Sequence, residues 1–237
     1  MPASHISRDF DSELHELRTR LLAMGARCER SVQLALTAFI EGSAEMTAEV
    51  KELDRRIDRD EMEIDELALR ILALRQPVAH DLRLIATSLK LVTDLERIGD
   101  EAVNIAERAE EAEELKADVP YPHLREMANL TQDMLRNALD AFVNAEVDRA
   151  ESVRRGDDAV DELYGTTLRE MMDFMAGHSE RIATAMRVVS VAKYLERIAD
   201  HATNIAEEVI FMVVGSDVRH EHSRPPPSLA APPRRGS

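Results

Sequence analysis

Apolar residues recur along the chain at spacings of three and four. Leu91, Leu95, Ile98, Ala102 and Ile105 make one such run, the period of a helix that buries a single face. The period is broken at few places. The firmest break is Asp118-Val119-Pro120-Tyr121-Pro122, where two prolines remove backbone donors and fix φ. Softer breaks fall at Glu41-Gly42-Ser43, at Arg75-Gln76-Pro77, near Gly156 and at Gly177-His178. The pattern predicts six long helices, over about 8–41, 44–75, 79–116, 121–147, 149–176 and 179–214. After Gly215 the chain turns to a Pro/Ser/Arg-rich ending that cannot bury a face, so a disordered tail is expected.

The helices are written twice. Residues 96–107 match residues 196–207 at an offset of 100, with nine of twelve identical, including Glu96/Glu196, Asp100/Asp200, Asn104/Asn204 and Glu107/Glu207. The first helices align at an offset of 103, pairing Leu21 with Leu124, Met24 with Met127 and Phe39 with Phe142. The second helices align at an offset of 96, pairing Asp65-Glu66-Leu67 with Asp161-Glu162-Leu163. Offsets that change by whole turns of helix keep the faces in phase while lengths drift. The expected fold is all-α, a tandem duplication of a three-helix bundle. Its units are 1–117 and 118–215, followed by the tail at 216–237.

Composition agrees. Aromatics are 3% of 237 residues, Trp is absent and Gly is scarce, which leaves little material for hairpins and favours straight-chain helix formers. The net charge is −16; the tail from Val218 carries a net of +3, which leaves −19 on the rest. Such a body repels phosphate backbones, so direct nucleic-acid binding is excluded as a function of the helices, and cations or proteins are the natural partners. The lone Cys28 rules out an internal disulfide and reads as a buried thiol. With neither a leader peptide nor an apolar run of membrane length, the expected compartment is the cytoplasm, with membrane contact only through partners.

The duplicated polar residues form lines. Glu96, Asp100, Asn104 and Glu107 fall within about 80° of one another on a helix, and Glu196, Asp200, Asn204 and Glu207 repeat this. Asp54, Asp58, Glu61 and Asp65 make a second line, matched by Asp157 and Asp161 in the other half. Both lines are expected on the outer face, opposite the apolar stripe. Carboxylates four residues apart can reach one cation, and their mutual repulsion destabilises a bare helix. Asp and Asn are poor mid-helix residues, so their repetition points to a local task, set against the plainer reading of a solvated acidic face. Oxygen ligands suit Mg²⁺, Mn²⁺, Ca²⁺ or oxygen-bridged iron.

Several chemistries are missing. A carboxylate di-iron centre needs E-x-x-H pairs, and no histidine here lies three residues after a glutamate. There is no Gly-rich phosphate loop, no H-E-x-x-H and no Ser–His–Asp arrangement around Ser88 or Ser190. His80 and His178 sit where a turn or cap role is expected. The chain reads as a binding module and not as an enzyme.

The segments Ile64-Asp65-Glu66, Arg75-Gln76-Pro77-Val78-Ala79-His80-Asp81-Leu82-Arg83, Asp94 to Ala102 and Tyr194 to Ile205 resemble the phosphate uptake regulator family, PhoU, over about residues 8–214. The resemblance implies tandem bundles whose carboxylate pairs hold iron or zinc clusters in some members. It carries metal candidacy to Glu61, Asp65, Glu96 and Asp100, and to Asp157, Asp161, Glu196 and Asp200. Asp58, Asn104, Glu107, Asn204 and Glu207 are further candidate ligands. Arg154 stands where the first half has Asp58, and the R-Q-P turn has no counterpart near Gly177, so the second site is expected to be weaker or differently occupied. The resemblance also implies a negative regulator of phosphate uptake and of the phosphate-starvation response. Its partners would be the importer's ATP-binding subunit and the phosphate-sensing histidine kinase, and a homodimer is a further expectation. The alternatives are a metal-binding helical adapter without a phosphate role and a metal-dependent enzyme of unknown type.

Overall fold

A computed structural model describes residues 3–110 and 122–216. Among them are six long helices and no strand: α1 (Ala3–Glu41), α2 (Ala44–Arg75), α3 (Ala79–Glu110), α4 (Pro122–Asn144), α5 (Val147–Gly177) and α6 (Ile182–Val214). The tail, residues 111–116 and most of the proline break lie outside the described residues.

Each turn has a local cause. Gly42 takes φ 68° and, with Ser43, returns its N–H to the Ala38 carbonyl, closing α1. Ser43 then caps α2, its hydroxyl accepting from the Met46 N–H. The α2–α3 turn is set by Gln76 and Ala79, both at positive φ (49° and 47°) on either side of Pro77-Val78. The α4–α5 break falls at Ala145 (φ 53°) and extended Glu146, so α5 begins two residues before the expected 149. α6 starts at Ile182, later than expected, because residues 179–181 form a separate 3₁₀ turn. Gly156 breaks nothing: α5 runs through it.

Helices α1, α2 and α3 pack on one another, and so do α4, α5 and α6. On α2 the buried seam is Val50, Ile57, Ile64 and Ile71, every seventh residue, each fully buried and each contributing about 2 kcal/mol of apolar transfer. Cys28 donates from Sγ to the Leu95 carbonyl, and burial pushes its thiol pKa up, which leaves it an inert core group. At the matching place in the second half the Thr131 hydroxyl donates to the Leu195 carbonyl. The duplication thus extends to individual buried hydrogen bonds.

The halves join where α3 lies antiparallel to α6. Arg83 donates to the Met212 carbonyl, Lys90 pairs with Glu208, Asn204 and His201 meet Asp94, and Arg197 pairs with Glu101. A second contact, α1 on α4, is close because Gly25 lacks a side chain; a Cβ there would come within 2.8 Å of both Leu139 methyls. Gly25→Ala is therefore expected to destabilise by about 1 kcal/mol, overpacking outweighing the gain in helix propensity. In a Leu139→Ala background the same change should become stabilising. Urea denaturation of the four proteins checks it; no change of sign would mean that this crossing does not depend on the glycine.

Candidate functional site

The carboxylate lines lie at the lips of two grooves, one between α2 and α3 and one between α5 and α6. They are less outward than their spacing implied. The Glu96 and Glu196 side chains are only 18% and 14% exposed and lean into the grooves, whereas Asp100 is 44% exposed.

In the first groove Asp54, Asp58, Glu61 and Asp65 of α2 face Glu96 and Asp100 of α3. Burial, then Asp58 and Asp100, push the Asp54 carboxyl up to about 6. Burial is likewise the leading cause that raises Glu61, Asp65 and Glu96, with Asp65 adding to Glu61 and Asp100 adding to Glu96. Three buried oxygens here, Asp54 Oδ1, Asp65 Oδ1 and Glu96 Oε2, have no hydrogen-bond partner. Arg97 is the nearby cation; it reaches Asp100 and Glu96 from the exposed side.

Spacing places Asp54 in the second line, although the resemblance does not carry ligand candidacy to it. Its place depends on Gly99, where a Cβ would meet Asp54 Oδ1 at 3.3 Å and Ile57 Cδ1 at 3.2 Å. The signal was present in the repeat alignment: the other half has Ala150 for Asp54 and Ala199 for Gly99, so the carboxylate and the space for it change together.

The second groove brings Asp157 and Asp161 of α5 to Glu196 and Asp200 of α6. Burial, then Asp200 and Asp161, raise Asp157 to about 6, and Thr203 donates a hydrogen bond to it at 3.3 Å. Burial, Glu196 and Asp161 raise Asp200. This groove brings its own cations. Lys193 holds Glu196 at 2.6 Å, and Arg154, in place of Asp58, holds Glu207 at 3.3 Å. Lys193 had not been foreseen, although its place three residues before Glu196 is a helical neighbour position.

The remaining candidates lie apart. Asn104 donates to Glu101, and Asn204 to Asp94, so both amides turn to the α3–α6 seam and away from the grooves. Glu107 pairs with Lys51. Ser88 and Ser190 donate to carbonyls of their own helices, and the His178 ring stacks on Phe174.

The donor set of the first groove fits a hard or borderline cation: carboxylate oxygens only, three of them buried and without a hydrogen bond, of which Glu96 Oε2 meets the Arg97 guanidinium at 3.3 Å. Among the described residues no group of three His, Cys, Asp or Glu is already gathered as an ion cage, so binding would require carboxylate rotation. The second groove fits less well, since Lys193 occupies one carboxylate and Thr203 another.

The described residues define a duplicated three-helix-bundle protein with carboxylates lining α2–α3 and α5–α6. The comparisons with known proteins narrow that class. The PhoU domain model matches residues 21–109 and again 124–209, one match per repeat, and the chain belongs to the PhoU family. It is 46% identical over 217 residues to the phosphate-specific transport system accessory protein PhoU homolog of Pseudomonas putida, covering 91% of this chain and 85% of that one. It is 35% identical over 216 residues to the accessory protein PhoU of Escherichia coli, covering 91% and 90%. The crystal structure of PhoU from Pseudomonas aeruginosa superposes with a TM-score of 0.84 at 43% identity, covering 87% of this chain and all of that one. That of the phosphate transport system regulatory protein PhoU from Streptococcus pneumoniae gives 0.82 at 29%, covering 88% and 99%.

The raised carboxyls have a stability consequence. An acid whose folded pKa lies above its unfolded value stabilises the fold below the unfolded pKa, and that contribution is lost as pH rises through the folded pKa. For Asp54 the window runs from 3.8 to about 6. Asp54→Asn should therefore stabilise the metal-free protein at pH 7 by about 1 kcal/mol, after discounting for solvent screening. The gain should vanish near pH 3.5, as thermal melts at the two pH values will show. Equal melting shifts at both would mean that Asp54 is not destabilised by its surroundings.

Proposed function

We propose that this chain is a cytoplasmic negative regulator of phosphate uptake and of the phosphate-starvation response. It acts by protein–protein contact with the ATP-binding subunit of the phosphate importer and with the phosphate-sensing histidine kinase. The observation that carries the reading is membership of the PhoU family across both repeats, whose relatives are named as accessory or regulatory proteins of phosphate transport. A role in regulating phosphate transport follows at the coarse level; the lack of catalysis, the named partners and the negative sign belong to the proposal.

The physics is consistent with it. With −16 net charge the chain has no electrostatic means of drawing in phosphate directly, so the phosphate signal must arrive through partners or bound cations. Among the described residues no helix is long and apolar enough to cross a membrane. Iron, zinc, Mg²⁺ or Mn²⁺ held by Glu61, Asp65, Glu96 and Asp100, with Asp54 beside them, would bind the α2–α3 hairpin together and offset much of the repulsion along that lip. Asp157, Asp161, Glu196 and Asp200 would make the weaker counterpart.

In a strain lacking its own regulator, the chain should restore repression of alkaline phosphatase at high phosphate. Failure to do so where a related PhoU succeeds would overturn the regulatory reading. Pull-downs should capture the ATP-binding subunit and the kinase; capturing neither would remove the contact mechanism. Elemental analysis of protein purified without chelators should show bound metal that falls in the Glu96→Gln/Asp100→Asn double variant. Metal content indifferent to those residues would move the ion elsewhere.

A further inference from the structure

Helix α5 differs from its counterpart α2 along the seam that faces the core. At the matched seam positions α2 has Ile57, Ile64 and Ile71, whereas α5 has Val153, Val160 and Thr167, so these three contacts are smaller or polar, while Met171 adds a buried contact where α2 has Arg75. The Thr167 hydroxyl is buried without a hydrogen-bond partner, a cost that the isoleucine does not carry. Ser43 caps α2 with its side chain, while Glu146 at the head of α5 makes no such bond.

The ties to the first helix of each bundle differ in the same direction. Arg27 holds Asp60 at 2.6 Å and Arg20 holds Glu63 at 2.8 Å, joining α1 to α2. The matched pairs in the second half are Leu130 with Gly156 and His123 with Ala159, neither of which can form that bond. The α4–α5 ties lie instead near the helix ends, Arg149 on Asp140 at 2.7 Å and His123 beside Glu170 at 3.2 Å. α5 also carries two interior glycines that packing does not require. A Cβ at Gly156 would make ordinary contact with Met134 at 3.5 Å, and one at Gly165 would meet only Arg169 at 3.5 Å. Glycine at such positions weakens a helix by its chain entropy. At the groove α5 is held to α6 by Thr203 on Asp157, by the largely buried pair of Arg154 and Glu207, and by Lys193 over the Tyr164 ring.

We infer that α5 is the labile element of this fold, opening from α4 and α6 as a unit while the rest stays folded. The acidic groove of the second repeat is then assembled only while α5 is docked, whereas that of the first repeat is permanent. The lability stands on packing alone; its bearing on ligands rests on the cation reading of the grooves given above. A partner that grips or releases α5 would thereby make or unmake the second groove without touching the first, a local-unfolding switch.

Native-state hydrogen exchange of the full chain in EDTA tests this. Amides of α5 should exchange at least about tenfold faster than those of α2. Gly156→Ala and Gly165→Ala should each slow α5 by about fivefold and leave α2 unchanged. Both variants are expected to fold, since neither new methyl group meets a steric obstacle. Equal or slower exchange in α5 would overturn the inference, and so would slowing of all helices together, because α5 would then open only in global unfolding. Mn²⁺ titration of wild type and the double glycine variant separates the two ideas. Tighter binding at the second groove in the variant supports the switch. Absence of any Mn²⁺ binding would remove the cation reading and leave the exchange comparison to decide on α5.

Discussion

Helices α3 and α6 are each packed against three others, and that double duty fixes where charge can sit. α3 meets α1, α2 and α6; α6 meets α4, α5 and α3. A central helix so enclosed has only narrow edges left for carboxylates, and the edges differ. Along the α3–α6 seam, Glu101 is buried and survives because Arg197 and Asn104 both bond it. Asp94 is met there by His201 and Asn204. Along the edge towards α2, Glu96 and Asp100 face other carboxylates and are met only from the exposed side, by Arg97. Buried charge must be paired, and half-buried charge need not be. The grooves are where the fold can tolerate unpaired acid.

That distinction marks the limit of what the residues alone disclosed. Helical period, the three offsets and the acidic lines were legible because each depends on local geometry. The correspondence reaches as deep as Cys28 and Thr131, which donate to Leu95 and Leu195 in the same register. The seam was not legible. Asp100 and Glu101 are chain neighbours about 100° apart on the helix, and nothing local says that one faces α2 and the other a second bundle. The same blindness placed Asn104 and Asn204 with the carboxylates when they serve the seam. The break assigned near Gly156 failed for a related reason: glycine lowers helix propensity, and α4 and α6 supply enough packing to carry the helix through.

The most informative differences lie between the two copies. In the first, Asp54 enters the groove because Gly99 gives it room, and no lysine stands where the second copy has Lys193, since position 93 is threonine. In the second, Ala150 and Ala199 close that space, and Lys193 and Arg154 supply positive charge from within the chain. The first groove has only the exposed Arg97 at its rim besides the solution for counter-charge, and the second is largely provided for by Lys193 and Arg154.

The charge and packing asymmetries have one origin. Carboxylates that raise one another's pKa across a groove push its two helices apart, and only packing elsewhere resists that push. α2 carries four groove carboxylates and has the means to stay in place: an isoleucine seam, a serine cap and arginine ties to α1. α5, with valines, an unsatisfied threonine and no such cap, could not sustain an equal repulsion. It faces a smaller one, because it presents fewer groove carboxylates and because Lys193 and Thr203 blunt those that remain. The duplicated bundle has therefore kept its geometry in both halves while moving each to a different balance of repulsion and packing, strong against strong in the first and weak against weak in the second.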